Sequence, residues 1–201
     1  YYGCNSSDGL GKYNKAAFQK LRKDFNDSNR DNPAMLFALI IYGFNNQIRF
    51  NNKGEYNLPV GKRDYNRSTK YNLASFCRDL ASQDSVILNT DFRNFDISTL
   101  NGDDMIYCDP PYLITTATYN EKDGWNTNDE KDLLDFLTRV DKQGIKFALS
   151  NVLEHKGQRN ELLDNWAKQY KVHNLNFSYN NSNYHSTASS HKTQEVLITN
   201  Y

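Results

Sequence analysis

Apolar residues recur at helical spacing over residues 16–25, where Ala17, Leu21 and Phe25 sit four apart and Phe18 joins their face. A second helix is predicted over 33–44, with Asn32 as its N-cap and Pro33 at its first position. Its run Met35-Leu36-Phe37-Ala38-Leu39-Ile40-Ile41 is apolar nearly all round, which predicts a buried helix. The periodicity then breaks. Residues 45–63 read as a hairpin or loop with a turn at Asn52-Lys53-Gly54, and helix resumes over 70–81. Upstream of all of these, Gly9-Leu10-Gly11 reads as a turn.

From Ser85 onward, short apolar runs alternate with helical patterns. Strands are expected at Val86-Ile87-Leu88, at Asp104-Met105-Ile106-Tyr107-Cys108 and at Ile145-Lys146-Phe147-Ala148-Leu149, where Ser150-Asn151 closes the strand. Between the last two, residues 129–141 place Leu133, Leu134, Leu137 and Val140 on one helical face. A further helix covers 160–168, and strands over 171–177 and 194–199 follow, joined by a polar loop. Strand–helix alternation predicts an α/β fold with a mostly parallel sheet wrapped by helices. The final two strands have no helix between them and predict an antiparallel pair. The expected organisation is therefore a first region over 1–84 and a second over 85–201.

Composition narrows the class. The 201 residues suit one large domain, or one domain with an insertion, and 13% aromatics offset a mean hydropathy of −0.83. Lys+Arg and Asp+Glu are both 24, so bulk charge names no partner. Charge position does. Residues 1–72 carry 12 basic and 6 acidic side chains, a net of +6, and the remainder balances this with −6. A basic first third on a neutral protein points to a polyanionic ligand. No run approaches 18 apolar residues and no charged-then-apolar leader opens the chain, so neither a membrane span nor a signal peptide is expected. Cys4, Cys77 and Cys108 show no paired spacing and read as reduced thiols of a cytoplasmic protein, with no metal site. His155, His173, His185 and His191 are scattered and take no role. The opening Tyr1-Tyr2, without an initiator Met, reads as the start of a piece of something longer.

One motif is sharp. Asp109-Pro110-Pro111-Tyr112 directly follows the strand ending at Cys108, and ligands of open α/β sheets sit just beyond the carboxyl ends of strands. A residue before proline is held extended, so Asp109 and Pro110 both stay out of helical geometry. Proline offers a carbonyl and no N–H. The motif thus presents a carboxylate, a rigid acceptor carbonyl and an aromatic face in sequence, which match the two donors and the π ring of an exocyclic amine. Average composition would produce the tetrad by accident in roughly one chain per thousand of this length. The competing explanation is a strand-ending Asp, a stiffened loop and a packed Tyr.

The tetrad after a strand resembles the catalytic motif of amino-methyltransferases that use S-adenosyl-L-methionine on adenine N6. The segment YGFNNQIRFNNKGEYNLPVGK at 42–62 resembles the target-recognition hairpin of Dam-type (D12 class, alpha group) DNA adenine methyltransferases, and KTQEVLITNY at 192–201 is similar to that family's last strand. The resemblance implies a Rossmann-like S-adenosylmethionine-dependent sheet with an inserted helical and hairpin DNA-recognition region and a C-terminal β-hairpin. It implies that Asp109 and the Pro110 carbonyl accept hydrogen bonds from the amine of a flipped-out adenine, that Pro111 belongs to the same catalytic tetrad and that Tyr112 stacks on the base, which cannot be reached inside the duplex. Asp91 and Phe92 match the family's contact to the cofactor adenine, although a strand-end Asp with a core Phe explains them nearly as well. Tyr119 and Trp125, in the loop over 113–126, either close over the base or pack on the surface.

For double-stranded DNA, Arg49 falls where the family uses an arginine to read guanine, and Phe44 falls at its aromatic wedge. Asn45, Gln47, Asn51 and Pro59 flank these. Lys53, Lys62, Arg63, Arg67 and Lys70 read as phosphate contacts, which position without specifying. Each alone is equally well a solvated charge; together, residues 49–70 carry 6 basic and 2 acidic side chains. Gln47 and Lys62 stand where the best-known members have apolar and arginine side chains, so no particular recognition sequence is implied.

The resemblance also implies a Phe-x-Gly-x-Gly cofactor loop after a first strand, and no such segment occurs in the chain. The expectation is that the natural polypeptide, bacterial or phage-encoded, carries on the order of 70 more N-terminal residues, about half a domain. Three functions remain open: a DNA adenine-N6 methyltransferase of a restriction–modification or Dam-like system, a methyltransferase acting on RNA or protein, and a non-catalytic DNA-binding fragment.

Overall fold

The computed structural model describes residues 10–115, 125–175 and 193–201. Cys4, Gly9, Tyr119, His185, His191, the end of the strand expected over 171–177 and the loop expected after it lie outside them. The chain divides into two compact units, Tyr1–Leu88 and Asn89–Tyr201.

In the first unit, α1 (Leu10–Asp27) and α2 (Pro33–Tyr42) pack through Phe18, Phe25 and Leu39, with Tyr56 and Leu58 completing the core. Asn32 caps α2 as expected, its side chain accepting from the Ala34 and Met35 N–H groups at 3.1 Å each. A single helical turn, Phe44–Asn46, leads into the segment expected as a hairpin. Antiparallel bridges Gly43–Val60 and Phe50–Tyr56 close it, and the Gly54 N–H donates to the Asn51 carbonyl at its tip. Helix α3 (Arg67–Ala81) follows, capped by Asn66.

Side chains of α1 and of the turn after it staple the hairpin down. Asn26 pairs with both backbone groups of Tyr56, at 2.8 and 3.0 Å, as a neighbouring strand would. Arg22 donates to the Leu58 carbonyl, and Arg30 donates to those of Lys53 and Gly54. Tyr56 is buried, donates its hydroxyl to the Leu39 carbonyl at 3.0 Å, and has its phenol pushed up to about 12 by burial. Gly61 lies so close to Gly43 that a Cβ on it would stand 2.3 Å from the Gly43 carbonyl oxygen. That contact is backbone on backbone and cannot swing aside. Gly61→Ala is therefore expected to destabilise this unit by about 1–3 kcal/mol, the range for overpacking a tight site, read as a lower denaturant midpoint at unchanged slope.

The second unit is a mixed α/β layer. Strand β1 (Met105–Cys108) is followed by α4 (Thr127–Lys142), β2 (Lys146–His155), β3 (Gln158–Arg159), α5 (Glu161–Ala167), β4 (Lys171–Leu175) and β5 (Thr193–Thr199). The open sheet runs β1-β2-β5-β4, with β3 paired to β2. Its core holds the predicted Leu133, Leu134, Leu137 and Val140 of α4, joined by Phe136, against Phe147, Leu149, Val196 and Ile198. A capping box, in which Asn126 and Asp129 exchange side-chain and backbone bonds, starts α4.

Five expectations are corrected. The sheet is not mostly parallel: among the described residues only β1 and β2 run parallel, β2–β3 and β2–β5 are antiparallel, and β4–β5 is antiparallel as expected of the last two strands. Strand–helix alternation failed because β2 turns straight back into β3 through Lys156 and Gly157, both at positive φ. Residues 86–88 form no strand and are 78%, 82% and 62% exposed; an apolar run becomes a strand only where a neighbour takes its backbone groups. Helix α2 buries only Leu39 fully, with Phe37 exposed, because α1 and the hairpin cover one side of it. Gly11 is helical, as part of α1, where a Cβ would meet the Gly61 carbonyl oxygen at 2.7 Å. Finally, Ser150 and Asn151 lie inside β2, which continues to His155 because β5 pairs with it that far.

Candidate active site

Asp109-Pro110-Pro111-Tyr112 leaves the carboxyl end of β1, so the sheet aims the tetrad at the edge where open α/β sheets hold ligands. Asp109 is exposed. The Tyr112 hydroxyl donates to Asp109 Oδ1 at 3.1 Å, and the Ser150 Oγ lies 3.3 Å from the same hydroxyl. Ser150 comes from β2, the parallel neighbour of β1, so the Tyr112 hydroxyl is held between groups placed by both strands. Burial raises the Tyr112 phenol, the Ser150 hydrogen bond opposes this, and the Asp109 charge adds to it. Tyr112 therefore stays protonated at neutral pH and orients one carboxylate oxygen. Cys108, just before the tetrad, is half-buried, and burial pushes its thiol up to about 11, which leaves it without thiolate reactivity at neutral pH.

Asp91 and Phe92 open a one-turn helix, Phe92–Asn94, capped by the Asp91 carboxylate through the Arg93 N–H at 2.9 Å. Arg93 ties this turn to α4. Its guanidinium contacts Asp91 at 3.0 Å and Asp129 and Asp132 at 2.6 Å each. The same guanidinium sits 4.6 Å over the Phe92 ring, which packs on Trp125 at 6.1 Å and Phe136 at 5.9 Å. Asp91 and Phe92 are thus held by α4, and the Asp91 carboxylate is shared with an arginine.

In the first unit, Arg49 is tethered. Its Nε donates to Asn57 Oδ1 at 2.7 Å and one Nη2 hydrogen to the Asn57 carbonyl at 3.1 Å. A guanidinium has five N–H donors, and among the described residues the Nη1 end has no hydrogen-bond partner. Phe44 is exposed, and Asn45 beside it is held at φ 54. Asn51 works within the turn, accepting from the Lys53 and Glu55 N–H groups and donating to the Glu55 carboxylate. Gln47 has a buried Oε1 with no protein partner among the described residues. Lys53, Pro59, Lys62, Arg63, Arg67 and Lys70 are exposed, with Arg63 reaching Asn46 Oδ1 at 3.4 Å and Pro59 accepting from the Phe44 N–H.

Comparison with known proteins bears on both units. Residues 5–181 match the family described as D12 class N6 adenine-specific DNA methyltransferase. The chain belongs to that family. It is 44% identical over 200 residues to the Type II methyltransferase M.FokI of Planomicrobium okeanokoites, and 43% identical over 201 residues to the modification methylase StsI of Streptococcus sanguinis. Each alignment covers 96% of this chain and 30% of the relative, so the chain spans about a third of their length. A DNA adenine methylase of Vibrio cholerae is 31% identical over 149 residues, covering 68% of this chain and 51% of that protein.

Several residues of this D12-class chain escaped sequence reasoning. Asn57 carried no signal beyond its place in the hairpin. Arg93 would have been found only by asking what neutralises the Asp129 and Asp132 that share a face of α4. Glu130 looks in sequence like one more solvated first-turn acid, yet it is fully buried. Among the described residues no cluster of side chains has the make-up of a metal site, and no helix is long and apolar enough to cross a membrane.

Proposed function

We propose that this chain is the target-recognition and catalytic part of a site-specific DNA methyltransferase, which moves a methyl group from S-adenosyl-L-methionine to N6 of a flipped-out adenine in duplex DNA. The observation that carries the reading is the tetrad at the end of β1, with its carboxylate oriented by Tyr112. Asp109 and the Pro110 carbonyl accept the two N–H groups of the adenine amine and draw its lone pair out of the ring. Tyr112 and Pro111 keep both acceptors in place. A strong base is unnecessary, because the amine becomes strongly acidic on methylation and passes its proton to Asp109 or to water.

The side chains at hand suit the cofactor. The Phe92 ring, braced on Trp125 and Phe136, offers an apolar edge for its adenine, and Asp91 offers carboxylate oxygens. When bound, S-adenosylmethionine supplies an electrophilic methyl group on a sulfonium. A Rossmann-like sheet extending past β1 belongs to the same reading. Met105 and Tyr107 on β1 are 55% and 59% exposed, and β1 has β2 alone as partner among the described residues. An open edge of this kind calls for a covering strand, here one that leads into the Gly-rich cofactor loop. Residues 44–70 would read and grip the DNA, with Phe44 filling the gap left by the flipped base. A duplex DNA substrate puts the work in the cytoplasm, and the modification methylases among the relatives support a restriction–modification setting.

Tritiated methyl transfer with the complete natural polypeptide tests this. Label is expected in duplex DNA as N6-methyladenine. Label in RNA or protein, or none in any acceptor, overturns the reading.

A further inference from the structure

Glu130 sits in the first turn of α4, fully buried, and its hydrogen-bond partners among the described residues are neutral. Oε2 accepts the Trp125 indole N–H at 2.6 Å, and Oε1 accepts the side-chain amides of Asn160 at 2.9 Å and Asn151 at 3.3 Å. Neither amide is free to turn over. Asn151 Oδ1 accepts from the Val152 N–H at 2.7 Å, and Asn160 Oδ1 accepts from the Leu163 N–H at 3.1 Å where α5 begins. All three partners are therefore donors, and a carboxylate accepts from all of them without bringing a donor of its own that would need a partner. A buried carboxylate is costly to desolvate, and this one occupies a junction. Through Trp125 it reaches Phe92. Through Asn151 it adjoins Ser150, whose hydroxyl meets Tyr112.

We propose that Glu130 is a positioning residue for cofactor binding: its carboxylate locks the Trp125 indole, which in turn sets the Phe92 ring against the cofactor. Glu130 itself touches neither cofactor nor base. The inference rests on the reading of Phe92 as a cofactor contact, so the experiment separates the two.

Calorimetry of S-adenosylmethionine binding to the complete natural polypeptide is run beside thermal melting and duplex-DNA affinity. Glu130→Gln turns an amide N–H₂ on one of three fixed donors, and a buried donor left without a partner weakens binding by about tenfold, at unchanged DNA affinity. Trp125→Phe keeps a ring without the N–H and is expected to weaken binding severalfold. In the double variant the clash between the introduced amide and the indole N–H is gone, while the amide oxygen still accepts from both asparagines. That variant is expected to lose less cofactor affinity than the product of the two single effects. Unchanged cofactor affinity in Glu130→Gln, single effects that simply multiply, or losses of cofactor and DNA affinity that track the melting temperature each overturn the proposal. If Glu130→Gln does not fold, Trp125→Phe decides: weaker cofactor binding at unchanged melting supports it, and unchanged binding overturns it. Phe92→Ala isolates the underlying reading. If it leaves cofactor affinity intact, Phe92 is no cofactor contact; if it weakens binding while Glu130→Gln does not, the positioning role alone falls.

Discussion

Asp109→Ala in the complete natural polypeptide is expected to lower the methyl-transfer rate on duplex DNA by at least about 10²–10³-fold while leaving DNA affinity nearly intact. Loss of one preorganised polar contact to the reacting group typically costs about 2.7–4 kcal/mol in the transition state, and Asp109 is a charged acceptor whose hydrogen bond strengthens as the amine gains positive character. The side chain is exposed and makes its described side-chain bond to Tyr112 alone, so little of the fold depends on it. Tyr112→Phe provides the contrast. It removes the hydroxyl that orients the carboxylate and keeps the ring, so a fall of only about tenfold is expected, in line with a single hydrogen bond to a charged group of about 1.5 kcal/mol. Single-turnover rates with saturating DNA measure both. Wild-type rates in Asp109→Ala would sink the assignment of the tetrad.

Arg49→Ala is expected to relax discrimination at one guanine by about 1–3 kcal/mol, whereas Lys53→Ala or Arg67→Ala should weaken binding to all sequences alike and flatten its salt dependence. The geometry sharpens the first expectation. Asn57 holds the Nε side of the guanidinium at 2.7 and 3.1 Å, so the fork is presented in one orientation, with its Nη1 end unbonded among the described residues. A pre-oriented fork suits the O6 and N7 acceptors of guanine better than a phosphate, which tolerates many approaches. Filter binding against single-base variants of the cognate site, at two salt concentrations, reads the difference. An equal loss across all variants would make Arg49 a phosphate contact.

What was legible in the sequence was whatever depends on neighbours along the chain. The helical spacing of Phe18, Leu21 and Phe25, the Asn32-Pro33 cap, the Lys53-Gly54 turn and the apolar face of α4 are local patterns, and each formed where it was expected, although Ala17, expected on the same face as Phe25, is exposed. The tetrad was legible for the same reason: proline geometry is local, and a strand precedes it. Tertiary structure alone decided the rest. Whether residues 86–88 pair, and in which direction β2 and β5 run, depends on backbone partners far away in sequence, which periodicity does not encode. Helix α2 is apolar all round, yet its burial was set by how much the hairpin covers. The environments of Arg49, Arg93 and Glu130 were hidden for a sharper reason. A charged side chain looks the same in sequence whether it meets water, an asparagine, three aspartates or a buried indole, and only the packed chain determines which of these replaces its hydration.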